Sequence, residues 1–271
     1  MSATIIRAQG AVNPVAGTDA GDAALDNFRR DLLATLGDAR LLWLPKSSDT
    51  TTNTDDTRHA RTITYDATIA GDTTALGSGI AWDLDGTAEE ADTPDTTELS
   101  FGDGAVDEAF SMVALVNLDQ IDATGTVIAS KWDSGGGTRE YLLQVDATTG
   151  NLRLELYDDT ANDFIGRLGG TALTATNWGL CVSTYDGSGS VTGIRLYLDG
   201  VRIDTSDVGA GGYVAMNNLA TPLNIGTRIG ASPELFWDGQ MAMVAVTAKE
   251  LNIDEIWQIK SSVNSFFDLS L

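Results

Sequence analysis

Most of the chain repeats one pattern: short apolar–polar alternations of period two, separated by glycine- and aspartate-rich turns. That period puts successive side chains on opposite faces of a strand. Leu152, Leu154 and Leu156 alternate with Arg153, Glu155 and Tyr157, which predicts a strand with one buried and one wet face. Ile194, Leu196 and Leu198 alternate likewise. Asp199-Gly200 behind them signals a type I′ hairpin, because both central residues need positive φ. The run from Phe110 differs. Phe110, Met112, Ala114 and Val116 fall on one face, Val113 and Leu115 on the other, so this strand is predicted to be central and covered on both sides. Residues 39–44, 62–65, 80–84, 98–101, 127–129, 141–145 and 241–247 supply further short strands.

The period lengthens to that of a helix only near the two ends. Asp22 is the expected N-cap of a first helix, with Leu25, Phe28, Leu32 and Leu36 on one stripe and Gly37 as its stop. Asn252 and Glu255 make a capping-box pair, and Ile256, Ile259, Val263 and Phe267 form the stripe of a second helix. Strands at hairpin spacing with helices only at the ends predict an all-β antiparallel sandwich, a jelly roll. The expected organisation is an extended arm over the first twenty residues and the first helix within 1–37, a sandwich over 38–265, and an apolar tail over 266–271. The stripe of the first helix either packs on the chain's own sandwich or docks on another subunit, and the block 1–37 is taken as the anchoring element. The tail is either tucked in or used as a contact.

Charge narrows the partners. The formal net charge is −23, and lysine occurs only at positions 46, 131, 249 and 260. Such a field repels nucleic acid and anionic lipid, so neither is expected as a partner. The excess suits solubility, a saline habitat or divalent cations. No apolar run reaches the roughly 18 residues that cross a bilayer as a helix, and the N-terminus shows no apolar stretch of the secretory kind. The expectation is a protein used inside a cell or released by another route, such as assembly into a virus particle followed by lysis. Cys181 is the one cysteine, so no intrachain disulfide forms, and its apolar neighbours mark it as a buried side chain. His59, the one histidine, lies in a polar loop away from any nucleophile elbow.

An ordered set of segments resembles a laminin-G-like domain of the concanavalin A-like lectin/glucanase superfamily. It comprises Leu41-Leu42-Trp43-Leu44-Pro45, Trp82-Asp83-Leu84-Asp85-Gly86 and Phe110 to Asn117, then Val127 to Asp133 and Trp178 to Asp186. Leu196 to Val201, Phe236 to Gln240 and Leu251 to Ile256 complete it, so the resemblance spans roughly residues 40–262. The chain departs at Trp178-Gly179-Leu180 and Met241-Ala242-Met243, where the family commonly carries Trp-His-His and Asp-Glu-Val. The resemblance implies a concanavalin A-like jelly roll and, often, one Ca²⁺ held by loop oxygens. Asp85 and Asp238 stand in the two matching Asp-Gly segments; each is either a calcium ligand or only a turn residue. No cofactor besides calcium is expected.

The superfamily includes glycoside hydrolases, whose laminarinase branch carries Glu-x-Asp-x-x-Glu on one strand. No such spacing occurs here, and Glu155 with Asp158 and Asp159 reads as a strand end entering an acidic turn. Catalysis is therefore not expected. A glycan site needs an aromatic platform amid polar groups. The candidates are Trp132, Asp133 and Arg139 around the loop 131–140, with Tyr157, Asp158 and Asp159 in a neighbouring loop; the alternative is an ordinary surface hairpin. Trp43 and Trp178 are assigned to the core. The leading expectation is a non-enzymatic, multi-copy decoration or adhesion subunit of a virus particle such as a tailed phage. Its partners would be other virion subunits and a glycan. The alternatives are a stand-alone or cell-surface carbohydrate-binding module and, third, a divergent glycosidase.

Overall fold

The computed structural model describes residues 20–46, 48–66, 73–121, 126–209 and 211–271. The predicted arm, up to residue 19, lies outside the described residues. Helix α1 spans Ala20–Leu36 and is followed by β1 Ala39–Trp43, β2 Thr52–Thr54, β3 Thr62–Tyr65, β4 Thr73–Leu76, β5 Gly79–Asp85 and β6 Ala91–Thr93. Next come β7 Phe110–Leu118, β8 Thr126–Asp133, β9 Thr138–Val145, β10 Asn151–Asp158, β11 Asp163–Ala172 and β12 Trp178–Tyr185. The chain then forms β13 Ile194–Leu198, β14 Val201–Arg202, β15 Asp204–Gly209, β16 Leu223–Ile225, β17 Arg228–Ile229, β18 Pro233–Glu234 and β19 Asp238–Thr247. Helix α2, Ile253–Phe267, closes it. No described helix is long and apolar enough to cross a membrane.

The strands form two sheets. The first runs β14-β13-β12-β7-β19-β5-β4, with β1 also paired to β19. The second runs β15-β11-β10-β9-β8-β16-β6-β3-β2, with the β17–β18 ribbon attached to β8. Among the described pairings all are antiparallel except the short β17–β8 contact. This is the predicted antiparallel sandwich. The core between the sheets takes Phe110, Met112, Ala114 and Val116 from β7 and Leu152, Leu154 and Leu156 from β10. Cys181 belongs to this core, and burial pushes its thiol pKa up, away from reactivity.

The opposite face of β7 explains its two-sided pattern. Val113 and Leu115 belong to a second core, between the first sheet and the two helices. Phe28, Leu32 and Leu36 of α1 are buried there with Ile256, Ile259, Val263 and Phe267 of α2. The Phe28 ring stacks on Phe266 at 4.4 Å and meets Phe267 edge-on at 5.5 Å. The stripe read as an anchor is thus already occupied within the chain. Leu25 is only half-buried, while Phe28, Leu32 and Leu36 have no face left for another subunit. The physical reason is the two-sided β7: its outer face needed an apolar cover. Each such side chain contributes roughly 1.5–3 kcal/mol on burial. The first helix is therefore part of the sandwich body rather than of a separate anchoring block.

Local signals hold these helices in place. Helix α1 already includes Ala20, so its start lies upstream of the Asp22 cap expected from sequence. Gly37 takes φ +72° and donates to the Leu33 carbonyl at 3.0 Å, the stop expected of it. Thr247 Oγ1 donates to the Leu36 carbonyl at 2.7 Å, tying that helix end to β19. Helix α2 begins with the Asn252–Glu255 capping box. The apolar tail is tucked in and begins as helix: Phe266 and Phe267 end α2 and are buried, and Leu269 and Leu271 pack against the same core.

Candidate functional site

With the first sheet roofed by helices, the second sheet carries the broad face that no helix among the described residues covers. On its outer side β8, β9 and β10 bring Val127, Trp132, Leu142 and Tyr157 into a small third cluster, with Phe164 of β11 and Leu235 against it. Alternation along β10 sets this up: Leu154 and Leu156 point inward, so Glu155 and Tyr157 point out. Pairing of Tyr157 with Phe164 in register across β10–β11 adds the second ring.

The rings are fixed. Trp132 meets Tyr157 edge-on at 5.1 Å, and Phe164 lies nearly parallel to Tyr157 at 6.1 Å. The Arg139 guanidinium sits over the Tyr157 ring, 3.9 Å from its centroid. Arg139 Nε donates to Asp159 Oδ1 at 2.7 Å and Nη2 to Asn162 Oδ1 at 3.1 Å. The Tyr157 hydroxyl donates to the same Asn162 oxygen at 2.9 Å. Asn162 adopts φ +53° in the β10–β11 turn, a left-handed conformation that asparagine tolerates better than most residues. The result is an aromatic ledge with a polar rim of Arg139, Asp159 and Asn162. It can stack an apolar ring face and hydrogen-bond hydroxyls.

The structure corrects part of the sequence-based site. Trp132 and Tyr157 are strand residues, not loop residues, and only 6% and 7% exposed, so neither indole nor phenol is itself an open platform. A one-sided sheet without a helical roof buries its large rings against each other, and the half-exposed Phe164 forms the accessible edge. Asp158 is buried at the end of β10 and accepts from Ala161 N at 2.9 Å and Val214 N at 3.1 Å. Asp133 accepts from Gly136 N at 2.7 Å and closes the β8–β9 turn. Of the six candidates, then, Arg139, Tyr157, Asp159 and Trp132 meet in one place, while Asp133 and Asp158 shape the turns around it. Asn162 and Phe164 were missed. The pairing of Phe164 with Tyr157 was available only once the β10–β11 register was known.

Asp85 and Asp238 stand directly opposite one another across β5–β19. Asp85 accepts from Thr87 N at 2.8 Å, Thr87 Oγ1 at 2.8 Å and Ala88 N at 3.2 Å, and these bonds, led by the Thr87 amide, hold its carboxyl below the usual range. Asp238 accepts from Gln120 Nε2 at 2.8 Å. Among the described residues no group of three or more His, Cys, Asp or Glu side chains stands where it could hold a metal ion. The pair could supply two carboxylates to Ca²⁺.

Behind the ledge, Lys131 is fully buried beside Glu140, which also accepts from Leu219 N at 2.8 Å and Ser100 Oγ at 3.2 Å. Burial pushes the Glu140 carboxyl up to about 7 despite these donors. This cluster pins the 211–221 segment to β9 and is enclosed, so it serves structure.

The fold and this ledge define a lectin-like β-sandwich. A laminin G family model, described as the concanavalin A-like lectin/glucanases superfamily, matches residues 85–257, and the chain belongs to that superfamily. No curated protein matches it. Among solved structures it is similar to the binding domain of Paraclostridial Mosquitocidal Protein 1 (TM-score 0.60, 10% identity, 84% of this chain and 53% of that one). It is also similar to domain 4 of AbnA, a GH43 extracellular arabinanase from Geobacillus stearothermophilus, in complex with arabinotriose (TM-score 0.54, 16% identity, 82% and 99%). A third is a botulinum neurotoxin type C structure whose cell entry depends on two ganglioside molecules (TM-score 0.58, 12% identity, 86% and 53%). The chain spans about half the length of the two toxin structures. At these identities the likeness shows the fold alone.

Proposed function

We propose that the protein is a non-enzymatic carbohydrate-binding module that adheres through the outer face of its second sheet. The observation that carries this is the Tyr157–Phe164 stack clamped by Arg139, with Asp159 and Asn162 as a hydrogen-bonding rim on the face that no described helix covers. Pre-fixed rings and planar donors suit a sugar, which offers C–H faces and hydroxyl edges. The sugar ligands named for the arabinanase domain and for the type C neurotoxin support the class.

The absence of catalysis is part of the proposal. The carboxylates at and beside the ledge are committed: Asp159 is paired with Arg139, Glu155 with Arg153, and Asp158 accepts two backbone N–H groups. Product release from β-glucans on incubation with the protein would overturn it. Binding is tested on a glycan array with wild type, Arg139→Ala and Phe164→Ala. The reading expects a glycan retained by wild type and weakened by both variants. Trp132→Ala is a poor probe, because it would hollow out a buried cluster.

The setting we infer is a virus particle that displays the module in many copies. A sandwich with no disulfide folds in the reducing cytoplasm where particles assemble, and the −23 charge keeps crowded copies apart. Co-purification with particles at fixed stoichiometry is the expected result. Absence from purified particles would leave the alternative of a stand-alone or cell-surface module.

A further inference from the structure

Lys260 stands out in the charge map. Every other described lysine and arginine has an Asp or Glu oxygen within salt-bridge reach. Among the described residues Lys260 alone lacks one. Its ammonium donates to the Asp199 carbonyl at 2.9 Å and sits 4.5 Å from the centroid of the Trp257 ring. In a chain of net charge −23, a cation left without a carboxylate partner is a selective position for an anion.

Trp257 is the one large aromatic among the exposed apolar residues, at 48%, and Val201 and Ile253 beside it are 59% and 44% exposed. Ile253 lies one helical turn before Trp257 on the same side of α2. The ring rests against the tip of the β13–β14 hairpin: a Cβ added at Gly200 would lie 3.4 Å from Trp257 Cε2 and 3.5 Å from Lys260 Cδ. Asp199 and Gly200 take φ +52° and +77°, the type I′ geometry, so this tip is a rigid support. Asp199 also walls a cleft of about 100 Å³ with Thr174, Asn177 and Trp178. The hairpin tip therefore borders both an exposed indole and a small polar cleft.

We propose that Trp257, Lys260 and the Asp199–Gly200 tip form a binding site for an acidic sugar. The pyranose ring lies on the free side of the Trp257 indole, with Ile253 and Val201 flanking it. The sugar carboxylate pairs with the Lys260 ammonium, and its hydroxyls reach the Asp199, Asn177 and Thr174 groups of the cleft. A ring with a carboxylate matches this combination of π-face and lone cation; a neutral sugar leaves the ammonium unused. The site lies on α2 and the first sheet's hairpin edge, separate from the ledge, and it deepens the carbohydrate-binding reading on which it rests.

The test is titration of wild type, Trp257→Ala, Lys260→Gln and Arg139→Ala with glucuronic acid- and sialic acid-terminated oligosaccharides and their neutral counterparts. Thermal melts confirm that these surface variants stay folded. The expected result is binding of an acidic oligosaccharide by wild type, weakened at least ~10-fold by Trp257→Ala, with Lys260→Gln erasing the preference for acidic over neutral sugar. In Arg139→Ala, whatever is lost at the ledge, the preference for acidic over neutral sugar should persist and should still vanish when Lys260→Gln is added. Acidic binding unchanged by Trp257→Ala and Lys260→Gln would overturn this site while leaving the ledge reading in place. Binding of no sugar at all by wild type would overturn both. A wild-type dimer in sedimentation that Trp257→Ala dissolves would assign the patch to contact between copies and overturn the sugar assignment.

Discussion

The two sheets of this sandwich share an interior and differ outside. The outer face of β7 and its neighbours is apolar and lies under α1 and α2, with Val113, Leu115, Phe28 and Ile256 buried together. Among the described residues no helix lies over the outer face of β8 to β11. There the large side chains bury one another, and partly exposed charged groups such as Arg153, Arg139 and Asp159 share the surface. The difference teaches where contact chemistry can sit. A roofed face stabilises the body and has no surface to offer; a face that must satisfy its own rings leaves polar rims and half-covered edges for a ligand.

The largest expected effect breaks or secures the roof. Phe28→Ala should cost roughly 3–5 kcal/mol, because it empties a stacked, fully packed site. A large drop in the urea midpoint checks this. A near-wild-type midpoint would mean that α1 is an attachment after all and the two faces are more alike than described.

Next, Arg139→Ala should weaken glycan binding about 10-fold, which corresponds to about 1.4 kcal/mol, while the melting temperature moves little. Isothermal titration beside a thermal melt separates the two. A variant that loses both together would make Arg139 a structural clamp on Tyr157 and nothing more.

The uncovered sheet also carries carboxyls at an awkward spacing. Glu90 and Asp92 flank the core residue Ala91, and Glu90 shares a hydrogen bond with Asp66. Burial, with Asp66 and Asp92 beside it, pushes the Glu90 carboxyl up to about 8. An unfolded glutamate titrates near ~4.3. Between those values the folded state keeps a proton that the unfolded state releases, so stability falls as pH rises from about 4.5 to 8. Glu90→Gln should flatten that slope and stabilise the protein at the alkaline end. Urea midpoints at acid and alkaline pH, compared between the two proteins, read it directly, and an unchanged slope in the variant would discard the assignment.

The smallest effect concerns the hairpin tip. Gly200→Ala puts a Cβ on a residue at φ +77° and should cost about 1 kcal/mol. The added Cβ would lie at ordinary contact distance from Trp257, so the fold should persist.

Local features were legible where the physics is local. The two-sided β7 followed from a period-two pattern, whereas on β10 the face read as wet is largely covered: Glu155 and Tyr157 are buried and only Arg153 is partly exposed. The Asp199-Gly200 turn and the Asn252–Glu255 box followed from backbone needs within a few residues. The candidate site was only half legible. Trp132 and Tyr157 look like platform residues in sequence, yet cross-strand pairing covers them. Trp178, assigned to the core, does pack against the second core but stays partly buried and also lines the small cleft at the hairpin. Trp257 did leave a trace: it falls beside the stripe of Ile256, Ile259 and Val263, so a helical projection already turns it to solvent.

The amino-acid sequence by itself determined the class of fold, the helix ends, the tight turns and the absence of a disulfide, because each depends on periodicity, backbone conformation or composition. Only the tertiary structure decided which apolar stripe covers which face, which rings hide each other, and which cation is left without a carboxylate. Those outcomes depend on residues far apart in the chain: Phe28 meets Phe266, Tyr157 meets Phe164, and Lys260 meets Asp199. No local pattern carries that information, since packing against a distant partner sets both burial and charge pairing.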